Sequence, residues 1–335
     1  MSNFNKLILH PNFHKTIREL SNNDIFLPHH GLEQNFEGMG SLTDSGKISN
    51  LEEIRGYKLD VLSGCAEASK FPFSSYDESW IKYAALEGLA YFTAHSLVVN
   101  GDNEYVPVAL ITFNFYTRSK AIIEKSSYIK YAADPTVEYT RDYIKDKVNF
   151  LLEFAPSHSL LFIDGPLISG DLYTIMVDAT DKFLQKDIIP IHFVKNSNSN
   201  IVTSNIDSLS GQYHSDMHWL NTLLRPGERS CFFKYEDQIN KKNTKTFCYI
   251  KAFDSSPQRI EFYTSTYLTY IDSVSQIMDL ILYLLFVQGS KTNPQLRTIA
   301  IAEAYARSVL RSIDINTYFK EAKISPTLNQ VRFGG

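Results

Sequence analysis

Ser159-Leu160-Leu161-Phe162-Ile163-Asp164-Gly165-Pro166-Leu167 is an apolar run that ends on a carboxylate and then turns. Such a run, bounded by Gly-Pro, predicts a short buried strand. In an open α/β sheet the carboxyl ends of such strands are where ligands and catalytic groups sit, so Asp164 is the first candidate functional residue. Two readings of it stand: a functional carboxylate at a strand end, or the start of an ordinary Asp-Gly turn.

Working outward, Asp134-Pro135-Thr136 starts a helix that runs from Val137 to Phe154 into this strand. Tyr143, Ile144, Val148, Leu151 and Leu152 give it an apolar face, and Glu138, Asp142 and Lys145 fall on a different one. A helix over Asp171 to Gln185 and a strand from Ile188 to Lys195 follow. Strand, helix, strand at these lengths predicts a βαβ unit and a partly parallel sheet. Upstream, Ile81 to Leu86 reads as a strand meeting Glu87-Gly88, and Val106 to Tyr116 as another. Downstream, Ser230 to Tyr235 and Lys245 to Phe253 flank the turn Asn240-Lys241-Lys242-Asn243, and Arg259 to Tyr263 adds a third, antiparallel strand. Helices over Ile271 to Val287 and Pro294 to about Ser312 end the pattern. The predicted class is α/β: a mixed sheet with flanking helices and a helical C-terminal part. Residues 1–55, with a short helix at Asn12 to Leu20, read as an N-terminal extension, and 56–335 as one domain.

At 335 residues, 44% hydrophobic and 13% aromatic, the chain can bury a substantial core. Cys65, Cys231 and Cys248 lack metal-ligand spacing, which predicts a reduced, cytoplasmic setting without structural zinc. The longest apolar run, Leu280 to Val287, falls short of the roughly 20 residues that span a bilayer, so no membrane association is expected. A net charge of -4 argues against holding nucleic acid by bulk electrostatics alone. The sequence contains neither a Walker A nor a GxGxxG motif, which predicts that the chain does not itself hydrolyse ATP.

Carboxylates at strand ends, joined by others on an adjacent helix, bind divalent metal through hard oxygen ligands and suit phosphodiester hydrolysis. Glu87, Asp164, Glu138 and Asp142 are the candidate set. The structural alternatives stay open: Glu87 as a turn residue, and Glu138 and Asp142 as acids complementing the dipole at a helix start. Lys195, at the same sheet edge as Asp164, can meet a scissile phosphate or simply be solvated. Arg225, Arg229 and Lys234 can grip phosphates, or Arg229 can be structural, paired with a core carboxylate.

Several separated segments resemble, in order and rough spacing, motifs of the NurA nuclease family: Leu160–Leu167, Ile191–Ser197, Asp216 with Leu220–Ser230 (LNTLLRPGERS), and Pro294 with Ile301–Ala306 (IAEAYA). All of these lie within the stretch from 80 to 310 over which the likeness extends. DGPL alone is a weak signal; LLRPGERS after a strand-and-lysine motif is more specific. The resemblance implies an RNase H-like core and a Mn²⁺- or Mg²⁺-dependent nuclease acting on DNA ends. It also implies a homodimer that works with a HerA-type hexameric ATPase in repair or in defence against foreign DNA. Carried over residue by residue, the catalytic set becomes Asp164, Glu87, Lys195 and Tyr305, and the metal set Asp164, Glu87, Glu138 and Asp142. Glu87 then stands where the family has the aspartate of an Asp-Gly-Ser motif, with Asp60 as the fallback, and Tyr305 stands where it has a histidine. The alternative is a non-catalytic subunit that docks on the ATPase and guides DNA. Leu7 to Phe13 is a candidate docking segment or a packing strand.

Overall fold

The computed structural model describes residues 12, 15, 17, 18, 46–101, 104–123, 129–168, 172, 174–195 and 197–321. In chain order the strands are β1 (Gly46–Asn50), β2 (Tyr57–Lys58), β3 (Phe73–Ala84), β4 (Leu89–Gly101), β5 (Glu104–Thr117), β6 (Lys130–Tyr131), β7 (Ser159–Asp164), β8 (Ile188–Val194), β9 (Glu228–Arg229), β10 (Phe233–Asp237), β11 (Thr244–Lys251) and β12 (Gln258–Tyr263). The helices are α1 (Val61–Glu67), α2 (Lys120–Ile123), α3 (Pro135–Phe154), α4 (Thr174–Asp178), α5 (Thr180–Gln185), α6 (Asp216–Leu223), α7 (Thr264–Thr269), α8 (Ile271–Gln288), α9 (Arg297–Ser312) and α10 (Ile315–Glu321).

β7 sits near the middle of the sheet, whose order is β1-β10-β11-β12-β8-β7-β3-β4-β5-β6, with β9 bridging β11 and β2. β3, β4 and β5 form an antiparallel meander, while β7 runs parallel to both β3 and β8. The inner order β5-β4-β3-β7-β8 is that of an RNase H-like core, the class expected. Its parallel part needs a crossover connection, and α3 supplies one between β6 and β7.

Alternation along β7 divides the core in two. Leu161 and Ile163 pack with Tyr76, Leu97, Ile144, Val148 and Leu151 under α3. Leu160 and Phe162 pack on the other face with Phe73, Phe193, Ile277, Ile281 and Ile299, under α8 and α9. All four β7 residues are fully buried, and each such side chain stabilises the fold by about 1.5–3 kcal/mol. α3 begins as expected: Asp134 caps it by accepting from the Thr136 and Val137 amides at 3.0 and 3.3 Å, with Pro135 in the first turn. α8 is apolar and long enough to cross a membrane by length and composition alone, and half of it is buried inside the protein.

Three expectations are corrected. The strand placed at Ile81–Leu86 covers only the last four residues of β3, with Leu86 in the turn, because Ser74, Ser75, Asp77 and Glu78 interrupt the apolar pattern earlier in the strand. β4 was not expected; its buried Thr93, His95 and Ser96 break the pattern in the same way. The helix over 171–185 is two short ones, α4 and α5, separated at Ala179. By its contacts the chain forms two units, 1–37 and 38–335, and β1, within the stretch read as an N-terminal extension, pairs with β10 of the sheet. In the first unit Asn12, Lys15, Ile17 and Arg18 are helical, and the rest of Leu7–Phe13 lies outside the described residues.

A buried ion cluster fixes the turn after β7. Glu261 on β12 is fully buried, with Lys245 Nζ at 2.6 Å and Arg259 Nε at 2.7 Å from one carboxylate oxygen. The other oxygen accepts the Leu167 amide at 2.7 Å. Burial alone would raise the pKa of this carboxyl, but the two cations hold it at about 2. Glu261→Ala leaves two cations buried without a counter-charge, so we expect a loss of about 3–5 kcal/mol. Urea denaturation followed by circular dichroism checks it; a loss under about 1 kcal/mol would show the cluster to be dispensable.

Candidate active site

The parallel register of β3 and β7 aligns Tyr76 with Ile163. The next step along both strands therefore sets Asp77 beside Asp164, on the α9 side of the sheet. Asp77 is 6% exposed, and its Oδ1 accepts the Glu78 amide at 2.7 Å. Its Oδ2 has no hydrogen-bond partner. Burial, then the neighbouring charges of Asp164 and Glu78, push its pKa to about 8. Burial also raises the pKa of Asp164, and Lys195, with Nζ 3.2 Å from Oδ1, works against that.

Lys195 lies just past the end of β8 and also meets the Gln295 side-chain oxygen at 2.8 Å once that amide is oriented to receive it. Beyond Asp164 the chain turns at Gly165, whose φ of 91° is a left-handed conformation that favours glycine. His192 Nδ1 lies 3.2 Å from the Gly165 carbonyl oxygen and Glu261 holds the Leu167 amide, so this turn is pinned from β8 and β12.

Glu78 points to the opposite side, toward α3. Tyr143 donates a short hydrogen bond to its Oε1, and Lys147 Nζ stands 3.6 Å from its Oε2. Tyr143 and Lys147 are one turn apart on α3 and so share a face. Lys147 also covers the ring of Tyr76, 4.6 Å from the centroid, and Tyr76 is hydrogen-bonded to His95 Nδ1 at 2.7 Å. Burial lowers the pKa of His95 to about 4 and that of His192 to about 3, so both imidazoles are neutral at pH 7.

Of the residues singled out from the sequence, the structure brings Asp164 and Lys195 together and leaves the others apart. Glu87 is at the tip of the β3–β4 hairpin, in the turn closed between Ala85 and Gly88. At about 3.3 Å per residue this is on the order of 20 Å along β3 from Asp77. Glu138 is held by Arg141 at 2.6 Å, and Asp142 accepts from Tyr116 Oη at 2.7 Å and Lys130 Nζ at 2.8 Å. Both lie roughly 100–140° around α3 from Tyr143. Tyr305 is on α9, about 10 Å along the helix from Thr298, whose hydroxyl meets Ser75 at 2.6 Å. Asp60 caps α1 through the Leu62 and Ser63 amides. Arg229 is structural: it forks onto Glu52 at 2.6 and 2.9 Å. Asp216 accepts from the Val202 and Thr203 amides at 3.0 and 2.8 Å and so anchors the loop after β8.

Sequence reasoning missed Asp77 and Glu78. The available signal was an acidic pair inside an otherwise strand-like run, FPFSSYDESWIKYA. Among the described residues no three His, Cys, Asp or Glu side chains form a ready-made metal cage. The buried Oδ2 of Asp77 nonetheless has no partner, and Glu78 Oε2 and Asp164 Oδ1 face only the ammonium groups of Lys147 and Lys195. This donor set suits a hard cation that keeps several waters and takes one or two carboxylates.

The NurA domain family model matches residues 87–307. Among solved structures the chain is similar to the NurA nuclease from Sulfolobus solfataricus, at 10% identity and a TM-score of 0.52, over 94% of this chain and 98% of that one. It also aligns with a NurA structure with manganese, at 9% identity and a TM-score of 0.43, over 96% of this chain and 98% of that one. No curated protein sequence matches. The Sulfolobus likeness shows the fold.

A carboxyl whose folded pKa lies above its unfolded value contributes stability below the unfolded pKa and loses it as pH rises through the folded one. For Asp77 that window runs from about 4 to about 8. Asp77→Asn removes the buried charge, so in chelator the variant should melt several degrees above wild type at pH 9 and close to it at pH 5. Thermal melts at the two pH values measure this; a constant difference would contradict the assignment.

Proposed function

The chain belongs to the NurA family, and from that premise we propose that it is a divalent-metal-dependent nuclease that hydrolyses DNA at the Asp77–Asp164 pair. The observation that carries this reading is the β3–β7 register, which sets two carboxylates side by side, a buried Asp77 with an unpartnered oxygen and a half-buried Asp164 with a lysine at its edge. Asp77 and Asp164 would hold Mn²⁺ or Mg²⁺, which when bound supplies Lewis acidity and a water of lowered pKa.

The chain's own groups do the rest. Lys195, steadied between Asp164 and Gln295, presents an ammonium group to the scissile phosphate and offsets the charge that builds there. The pinned turn at Gly165–Leu167 keeps the Asp164 carboxylate in place. Glu78 is fixed from α3 and adds negative potential behind the pair. The neutral His95 and His192 add no charge at neutral pH.

Two partnerships belong to this proposal: a homodimer, and docking on a HerA-type hexameric ATPase that delivers DNA. A net charge of -4 supports dependence on such a partner, because each phosphate held requires a placed cation. One observation favours the alternative of a non-catalytic DNA-guiding subunit: Lys147 and Lys195 already stand against the carboxylates.

Cleavage of linear DNA with Mn²⁺, with and without the ATPase, separates the two. Asp77→Asn and Asp164→Asn should each lower cleavage about 10³-fold or more with the fold intact, and Glu87→Gln should stay within about twofold of wild type, as a distant surface change does. Full activity in a well-folded Asp77→Asn protein would remove the pair from the reaction. Light scattering coupled to size exclusion, on the protein alone and with the ATPase, tests the assembly; a monomer that is fully active unaided at physiological salt would end that part of the proposal.

A further inference from the structure

We propose that Lys147 stands in place of a second divalent cation, so that this site takes one metal ion per chain, held by Asp77 and Asp164; the inference rests on the nuclease reading above. A pair of divalent ions brings four positive charges and draws on several carboxylates that converge from the strands and the helices beside them. Here the strands supply Asp77, Glu78 and Asp164, and two lysines already face them.

Lys147 comes from α3, the helix from which a further carboxylate ligand was expected. Its side chain is 8% exposed, with Nζ 3.6 Å from Glu78 Oε2 and over the ring of Tyr76, the residue that precedes Asp77. A lysine ammonium is a compact point charge, and a buried one repels a divalent ion at close range. Of the acids on the same helix, Glu138 and Asp142 are turned away and engaged by Arg141, Tyr116 and Lys130, and Asp146 faces Asn114 and Lys130.

The opposite side offers no replacement. α9 packs along β3 with Thr298 bonded to Ser75, and the next residues on that buried face are Ala302 and Ala306, neither of which can ligate. Asp77 is more than nine-tenths buried and its Oδ2 is unpartnered. One vacant oxygen on Asp77, beside Asp164 and its Lys195, matches one ion, while Lys147 occupies the α3 side at Glu78, the carboxylate that a second ion would draw on.

The test titrates the intact protein with Mn²⁺ by calorimetry and records its electron paramagnetic resonance spectrum. Wild type should bind one Mn²⁺ per chain and show an isolated-ion spectrum. Lys147→Glu places a carboxylate on α3 facing the strand ends and should bind two, with the spectrum of an exchange-coupled pair. Lys147→Gln should still bind one, about tenfold tighter, because a like charge has been removed. Two coupled ions in wild type, no ion in wild type, or unaltered Mn²⁺ affinity in a folded Lys147→Gln protein would each overturn the proposal, as would a single ion in a folded Lys147→Glu protein. If Lys147→Glu fails to fold by circular dichroism, the wild-type stoichiometry and Lys147→Gln decide. DNA cleavage measured on the same samples keeps the two readings apart. One bound ion without cleavage counts against the nuclease and supports the stoichiometry; two bound ions with cleavage do the reverse.

Discussion

Two carboxylates forced side by side in a buried place cannot both be ionised without a compensating cation, and the register of β3 against β7 imposes that situation here. Asp77 and Asp164 are neighbours because two parallel strands are hydrogen-bonded in one alignment. A slip of either strand by one residue would send its carboxylate to the other face of the sheet, away from its partner. That alignment is in turn enforced by the full burial of β7 on both faces, under α3 on one side and α8 and α9 on the other. The lysines, the anchored Glu78 and the pinned Gly165 turn are arranged around a charge that the strand pairing creates.

The parts of this arrangement that were legible in the sequence are those whose signal is local. The apolar run ending at Asp164 reads as a buried strand because nothing polar interrupts it. α3 is announced by Asp134-Pro135 and by its periodicity. Lys195 follows from its place just past a second apolar run. Arg229 was left open between two readings, and the structure chooses the structural one through its fork on Glu52.

What was not legible is whatever depends on partners far away in the chain. β3 conceals Asp77 because Ser74, Ser75 and Asp77 are polar residues buried by tertiary contacts, as with Ser75 against Thr298. Glu87 looked like a strand-end carboxylate because strand and turn were recognised correctly while the strand's first half was missed. Glu138 and Asp142 were on the right helix, and their separation from its apolar face was visible, but which face meets the strand ends was not. Lys147 sat unnoticed at the edge of that apolar face, where a long aliphatic stem lets a cation be buried.

The clamp on the turn after β7 has a consequence for when the site comes into being. Glu261 reaches back 94 residues to the Leu167 amide, and Thr298 reaches back 223 to Ser75. Contacts this distant in sequence close late, because the intervening chain must be ordered before they form. A nascent chain that has left the ribosome only through β8 already carries both aspartates, yet it lacks the strand that fixes their turn and the helix that covers their face. The clamp and cover of the carboxylate pair thus wait on synthesis of the C-terminal third, which carries both Glu261 and Thr298.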